Sequence, residues 1–248
     1  MENIAFKHFF FLGALCMKLN HRIIPILQFA LFTGMLITIV PDFADTQVSE
    51  AKSLLQRSRD QRSREVSWEK VAEFNFDNPS ELARFPVPEG KWEISDGKLR
   101  AIGGDRNRAI LLAKNVGDPV RIEFEATNTA DSEGFYGDIT VLLNTMDSKS
   151  FFEDGYALTT ASFGNSCTTF YREGKSIAGT EYTPVVSGVK NHVVLEFKEG
   201  HIRYWLNDTI ILEAWDQAPL EMEDGNWIGI RTWATNMVLD NVVVFKGK

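Results

Sequence analysis

Glu123 and Glu125 stand two residues apart in Arg121-Ile122-Glu123-Phe124-Glu125-Ala126-Thr127. On an extended strand both point to one side, with about 7 Å between their Cα atoms. Two carboxylates flanking a glycosidic bond need spacing of that order, so this pair is the candidate for sugar hydrolysis. Alternating glutamates also describe an ordinary wetted strand face. Arg231 and Trp233 form the second candidate, in Ile228-Gly229-Ile230-Arg231-Thr232-Trp233. If Ile228 and Ile230 face a core, alternation puts Arg231 and Trp233 together on the opposite face. An indole stacks on the apolar face of a sugar ring, and a guanidinium donates planar hydrogen bonds to hydroxyls or carboxylates. The same two residues would otherwise be an aromatic–cation pair covering an edge. Asp138, Asn144, Tyr156 and Arg172 fall on neighbouring runs and offer donors and acceptors suited to hydroxyls.

Other chemistries find little support. The four histidines, His8, His21, His192 and His201, have no metal-ligand spacing. Cys16 and Cys167 are the only cysteines. Cys16 lies in the N-terminal apolar region, so Cys167 is read as a small apolar strand residue without a disulfide partner. There is no phosphate-binding glycine loop and no Gly-x-Ser-x-Gly nucleophile turn. No cofactor is expected, apart from a structural calcium for which Asp131, Glu133 and Asp240 offer oxygen donors. Plain turns are the competing reading of those acids.

These residues need a scaffold, and from Trp68 onward the hydrophobic pattern has period two. Arg121–Thr127 alternates strictly. Val193, Leu195 and Phe197 share one side of their run, as do Ile202, Tyr204 and Leu206 of the next. Turn pairs separate the runs: Asp96-Gly97, Gly103-Gly104, Glu173-Gly174, Glu199-Gly200, Asn207-Asp208 and Asp224-Gly225. About a dozen short strands without a long amphipathic helix predict an all-β, two-sheet sandwich over 67–248.

Several segments resemble a known superfamily. Phe74-Asn75-Phe76 is followed by Gly90-Lys91-Trp92-Glu93-Ile94-Ser95-Asp96-Gly97-Lys98-Leu99. Later come Val189–Phe197 leading into Ile202–Asn207, then Gly225–Arg231 and Leu239–Phe245. This order of motifs resembles the concanavalin A-like lectin/glucanase superfamily. Within it, the chain is most similar to bacterial 3-keto-disaccharide hydrolase, or family-16-glycoside-hydrolase-like, domains. The resemblance implies a jelly-roll sandwich in an exported protein, with sugars on a concave sheet that includes the Arg231–Trp233 strand. It also implies that Trp92, Trp205 and Trp227 fill the space between the sheets. The chain departs from the family's catalytic signatures. No Glu-x-Asp-x-x-Glu strand occurs, Gly134–Thr140 stands where an Asn-Ser-Gly segment is usual, and Arg231, Thr232 and Trp233 replace a late Gln and His.

The first 45 residues read as a signal peptide or membrane anchor. Lys18, His21 and Arg22 precede the apolar run Ile23–Val40, and the signal takes an ordinary shape if translation starts at Met17. Cleavage after Ala44 would put Asp42 at −3, and the run is long enough to span a bilayer uncleaved. Residues 46–66 read as a polar linker. Residues 1–66 hold 8 Lys/Arg against 6 Asp/Glu, a net of +2, whereas 67–248 hold 18 against 28, a net of −10. So acidic a domain repels phosphate backbones and excludes a nucleic-acid partner. The expectation is a carbohydrate-binding domain that is secreted, periplasmic or anchored facing outward. It touches membrane only through an uncleaved N-terminus. The alternatives are a glycoside hydrolase using Glu123 and Glu125, and a structural or adhesion module.

Overall fold

The computed structural model describes residues 66–102, 107–130, 134, 136–146, 152–222 and 226–248. The predicted signal or anchor with Cys16, the linker up to residue 65, the Gly103-Gly104 and Asp224-Gly225 turns, and Asp131 and Glu133 lie outside them.

Val66–Lys248 forms one compact unit of fourteen strands in two antiparallel sheets. The larger sheet has eight strands: β1 (Trp68–Phe74), β2 (Lys91–Ser95), β3 (Lys98–Ile102), β5 (Val120–Thr129), β10 (Lys190–Lys198), β11 (His201–Leu206), β12 (Thr209–Trp215) and β14 (Asn236–Gly247). The smaller has six, in the order β4 (Asn107–Lys114), β13 (Trp227–Trp233), β6 (Ile139–Thr145), β7 (Tyr156–Ala161), β8 (Cys167–Arg172) and β9 (Lys175–Thr180). The all-β sandwich predicted from alternation is therefore the fold.

Four of the turn pairs close two-residue hairpins: β2–β3, β8–β9, β10–β11 and β11–β12. Asp96 and Gly97, Glu173 and Gly174, Glu199 and Gly200, and Asn207 and Asp208 all have positive φ. Two successive positive φ angles give the turn whose twist matches the flanking strands.

One hydrophobic core lies between the sheets. β5 contributes Ile122, Phe124 and Ala126, β10 contributes Val193, Leu195 and Phe197, and β13 contributes Ile228 and Ile230. Alternation in β14 changes phase at Asp240–Asn241, where a bulge against β5 inserts an unpaired step. Leu239 before it and Val242 after it both reach the core.

Two expectations need correction. Trp92 is buried in the core, but Trp205 and Trp227 are not between the sheets. With Ile202, Tyr204 and Leu206 inward, period two turns Trp205 outward, where Arg203 lies over its ring at 5.3 Å. Trp227 covers a second, smaller cluster of Ala109, Leu111, Leu142 and Ala157. That cluster sits on the outer face of the six-stranded sheet, so β6 is buried on both faces and loses its alternation.

Candidate functional site

The outer faces of the two sheets differ in how their charges are satisfied. On the eight-stranded sheet, Arg121, Glu196, Arg203 and Glu213 form one row across β5, β10, β11 and β12. Arg121 bonds Glu123 and, at 2.6 Å, Glu196, whose other oxygen accepts from Arg203. Glu123 and Glu125 share this face as alternation predicts. Glu125 accepts from Lys190 at 2.7 Å and from Asn241 at 3.1 Å. The Lys190 hydrogen bond holds the Glu125 carboxyl below its ordinary range.

The remaining six nominated residues lie on the six-stranded sheet and divide between its two ends. At one end, three of them hold the segment after β12. The Asn144 amide donates to the Glu221 carbonyl at 2.9 Å, while Asn226 donates to the Asn144 Oδ1 at 2.7 Å. Tyr156 points into the core, stacked on Phe170, and its hydroxyl donates to Asp216 at 2.9 Å while accepting from the Leu220 N–H at 2.7 Å. Burial pushes the Tyr156 phenol far above its usual range. Arg172 donates to both Asp216 oxygens at 3.1 and 3.2 Å and to the Ala218 carbonyl at 2.6 Å. All three of these Arg172 hydrogen bonds leave from Nη1, and its side chain is 30% exposed.

The opposite end is built around Arg231. Ile228 and Ile230 occupy the core, so Arg231 and Trp233 stand on the outer face, as the strand pattern predicts. The Arg231 Nε donates to the Asn107 Oδ1 at 2.7 Å, and Nη1 approaches the Asp138 Oδ2 at 3.4 Å. The guanidinium lies over the Phe152 ring at 5.1 Å and the Trp233 ring at 5.6 Å. Asn107 itself is fixed, because its amide N–H donates to Glu89 at 2.6 Å and leaves only its oxygen for Arg231. The Nη2 group has no acceptor among the described residues, and Trp233 is 38% exposed. The Arg231 plane is thus set by protein partners, with the side chain largely buried beside an open indole.

Asp138 completes the cluster from the position just before β6, at φ 61°. Its Oδ1 accepts from the Thr140 hydroxyl at 2.9 Å, and its N–H donates to the Ala161 carbonyl at 3.2 Å. Gly137 permits this close approach, since a Cβ there would lie 2.0 Å from the Ala161 oxygen. Burial raises the Asp138 carboxyl above its ordinary range, against the downward pull of Arg231 and then Thr140. Asp138, Arg231 and Trp233 are therefore together, whereas Asn144, Tyr156 and Arg172 lie at the other end and Glu123 and Glu125 on the other sheet. Sequence reasoning missed Asn107, Phe152 and Glu89. Asn107 is read from register alone, opposite Trp233, and nothing in the pattern around Phe152 or Glu89 points to Arg231.

Among the described residues, no group of three or more His, Cys, Asp or Glu is placed to hold a metal ion. No helix among them is long and apolar enough to cross a membrane. Cys167 is a free, buried thiol.

No protein-family model matches the chain, and no curated protein sequence matches it. Solved structures do match. A carbohydrate-binding module, CBM66, from Bacillus subtilis is 18% identical with a TM-score of 0.52, covering 64% of this chain and 92% of its own. A Bacillus subtilis protein described as having a galectin-like fold is 10% identical with a TM-score of 0.59, over 74% and 98%. The exoplasmic/lumenal domain of VIP36, in a calcium- and glycan-bound form, is 10% identical with a TM-score of 0.53, over 72% and 90%. At these identities the likeness is one of fold: the chain has the galectin-like, concanavalin A-like β-sandwich.

Proposed function

We propose that the protein is a carbohydrate-binding module of an exported protein, and that its ligand sits against Arg231 and Trp233 at the end of the six-stranded sheet. One observation carries this reading. A guanidinium that donates to Asn107 and approaches Asp138 lies over two aromatic rings, and one of them, the Trp233 indole, is 38% exposed. A sugar ring matches both, through C–H groups on the indole and hydroxyls on the guanidinium. The titles of the fold neighbours, which name a carbohydrate-binding module and a glycan-bound domain, support the same class. The order of its motifs supports a finer kinship with family-16-glycoside-hydrolase-like domains.

A glycan array probed with the full-length chain tests it. Binding to at least one neutral or acidic glycan, lost in Trp233→Ala and Arg231→Ala, is the expected result. Absence of binding at high micromolar protein, or binding unchanged in both variants, would refute it.

A further inference from the structure

Three described aromatic side chains are more than a third exposed: Trp233 at 38%, Phe163 at 52% and Tyr182 at 54%. All three lie at the same end of the six-stranded sheet. Trp233 ends β13, beside Asp138 just before β6, since Arg231 pairs with Thr140. The Asp138 N–H bonds the Ala161 carbonyl at the end of β7, and Phe163 follows in the turn to β8. Tyr182 follows β9, and its carbonyl accepts from Thr168 at the start of β8, at 3.1 Å. The three positions thus follow the strand order β13, β6, β7, β8, β9, a span of roughly 19 Å at the usual spacing between strands.

The turn carrying Phe163 is an unfavourable one. Ala161, Phe163, Gly164 and Asn165 all have positive φ, of 54°, 49°, 71° and 65°. A bulky residue such as Phe rarely adopts that conformation, and it persists only when its surroundings impose it. Here they do. The Asn165 Oδ1 accepts from the Gly137 N–H at 2.9 Å and the Tyr136 N–H at 3.3 Å, and the Asn165 carbonyl accepts from Thr183 at 3.0 Å. The strained backbone leaves the Phe163 ring half in water, so burial does not explain it. Tyr182 is tied to β8 and likewise left open.

We infer that the ligand is a glycan chain laid across the strand ends over Trp233, Phe163 and Tyr182, and not a single terminal sugar gripped at Arg231. This rests on the carbohydrate reading above. Separated rings with the part-buried Asn165 and Thr183 between Phe163 and Tyr182 suit a polymer that alternates apolar ring faces with hydroxyls. A protein partner would favour a contiguous, desolvated apolar centre.

Titration of the full-length chain with disaccharides and hexasaccharides of β-glucan, xylan, mannan and pectin separates the outcomes. The expected result is hexasaccharide binding at least about tenfold tighter than disaccharide binding. Phe163→Ala and Tyr182→Ala should each lower hexasaccharide affinity by about tenfold, the effect of losing an anchoring aromatic, and leave disaccharide affinity unchanged. Equal affinity for both lengths, with those variants silent while Trp233→Ala abolishes binding, would overturn the extended site and leave the carbohydrate reading standing. Binding to none of these glycans, together with a blank array, would overturn both.

Discussion

The two ends of the six-stranded sheet carry the same kinds of residue and use them differently. At the end holding Arg172, the guanidinium meets two Asp216 oxygens and the Ala218 carbonyl, and Tyr156 donates to one partner and accepts from another. At the end holding Arg231, the guanidinium meets one amide oxygen closely and one carboxylate loosely, beside an indole open to solvent. The two arginines are alike in leaving Nη2 without a partner among the described residues. What differs is the aromatic beside each: a buried Tyr156 whose hydroxyl is bonded on both sides, which makes it a brace, and a Trp233 that is 38% exposed. On the eight-stranded sheet, Arg121 and Arg203 satisfy both oxygens of Glu196.

The sharpest way to break this contrast is to remove the brace. Tyr156 is 1% exposed and packs on Phe170 and Phe197. Tyr156→Ala should lower stability to urea by about 3–5 kcal/mol, as for other large aromatic truncations in a core. Tyr156→Phe should lower it by about 1–2 kcal/mol, because the Leu220 N–H and Asp216 lose a partner. Glycan affinity of the Tyr156→Phe protein should not change. A loss of affinity there without loss of stability would place ligand at the braced end.

Trp233→Ala should do the reverse. Glycan affinity should fall by about 1–3 kcal/mol, the scale of an anchoring aromatic, while stability changes by about 0.5 kcal/mol or less, as at other surface positions. A large drop in the urea midpoint with binding intact would mean that Trp233 is a packing residue.

The two ends also respond to acid with opposite signs. Burial holds Asp138 above its ordinary pKa. Its contribution to stability is complete below about pH 3.9, the unfolded value, and is lost as pH rises through the raised folded value. For Asp216, burial pushes upward but hydrogen bonds from the Ala218 N–H, Tyr156 and Arg172 outweigh it and hold the carboxyl low. Its contribution is complete above about pH 3.9 and is lost as pH falls through the lowered value. Urea midpoints across pH should therefore lose part of their acid-side decline in Asp216→Asn. Asp138→Asn should remove part of the decline seen on raising pH from the acid side. The smallest effect is expected on the other sheet. Replacing Glu123 and Glu125 together by Gln should leave glycan binding unchanged and cost about 1 kcal/mol or less, as for partly exposed ion pairs.

Much of the scaffold was readable because period two and two-residue turns are local signals. β5, β10, β11 and four hairpins follow from residues adjacent in sequence. Trp205 departs from the inward place its motif implies, because the alternation of Ile202, Tyr204 and Leu206 turns it out. β6 lost its alternation because other residues cover its outer face, a tertiary effect without a local trace. At the candidate site, the shared outer face of Arg231 and Trp233 follows from strand alternation. The separation of Asp138 from Asn144, Tyr156 and Arg172 was not legible, because strand polarity and cross-strand register decide which end of the sheet a residue reaches. Asn107 lies 124 residues from Arg231 in sequence, and only the β4–β13 pairing brings them together.

The indole N–H resonances of the full-length chain give the most direct test, because the tryptophans mark different surfaces. Trp233 stands at the open end of the six-stranded sheet, Trp227 on the small outer cluster, Trp205 and Trp215 on strands of the eight-stranded sheet, and Trp92 in the core. During titration with a glycan that binds, the Trp233 resonance should shift in step with saturation while those of Trp92, Trp205 and Trp215 stay fixed. A shift of Trp205 or Trp215 with Trp233 unmoved would put the sugar on the opposite sheet and contradict the account.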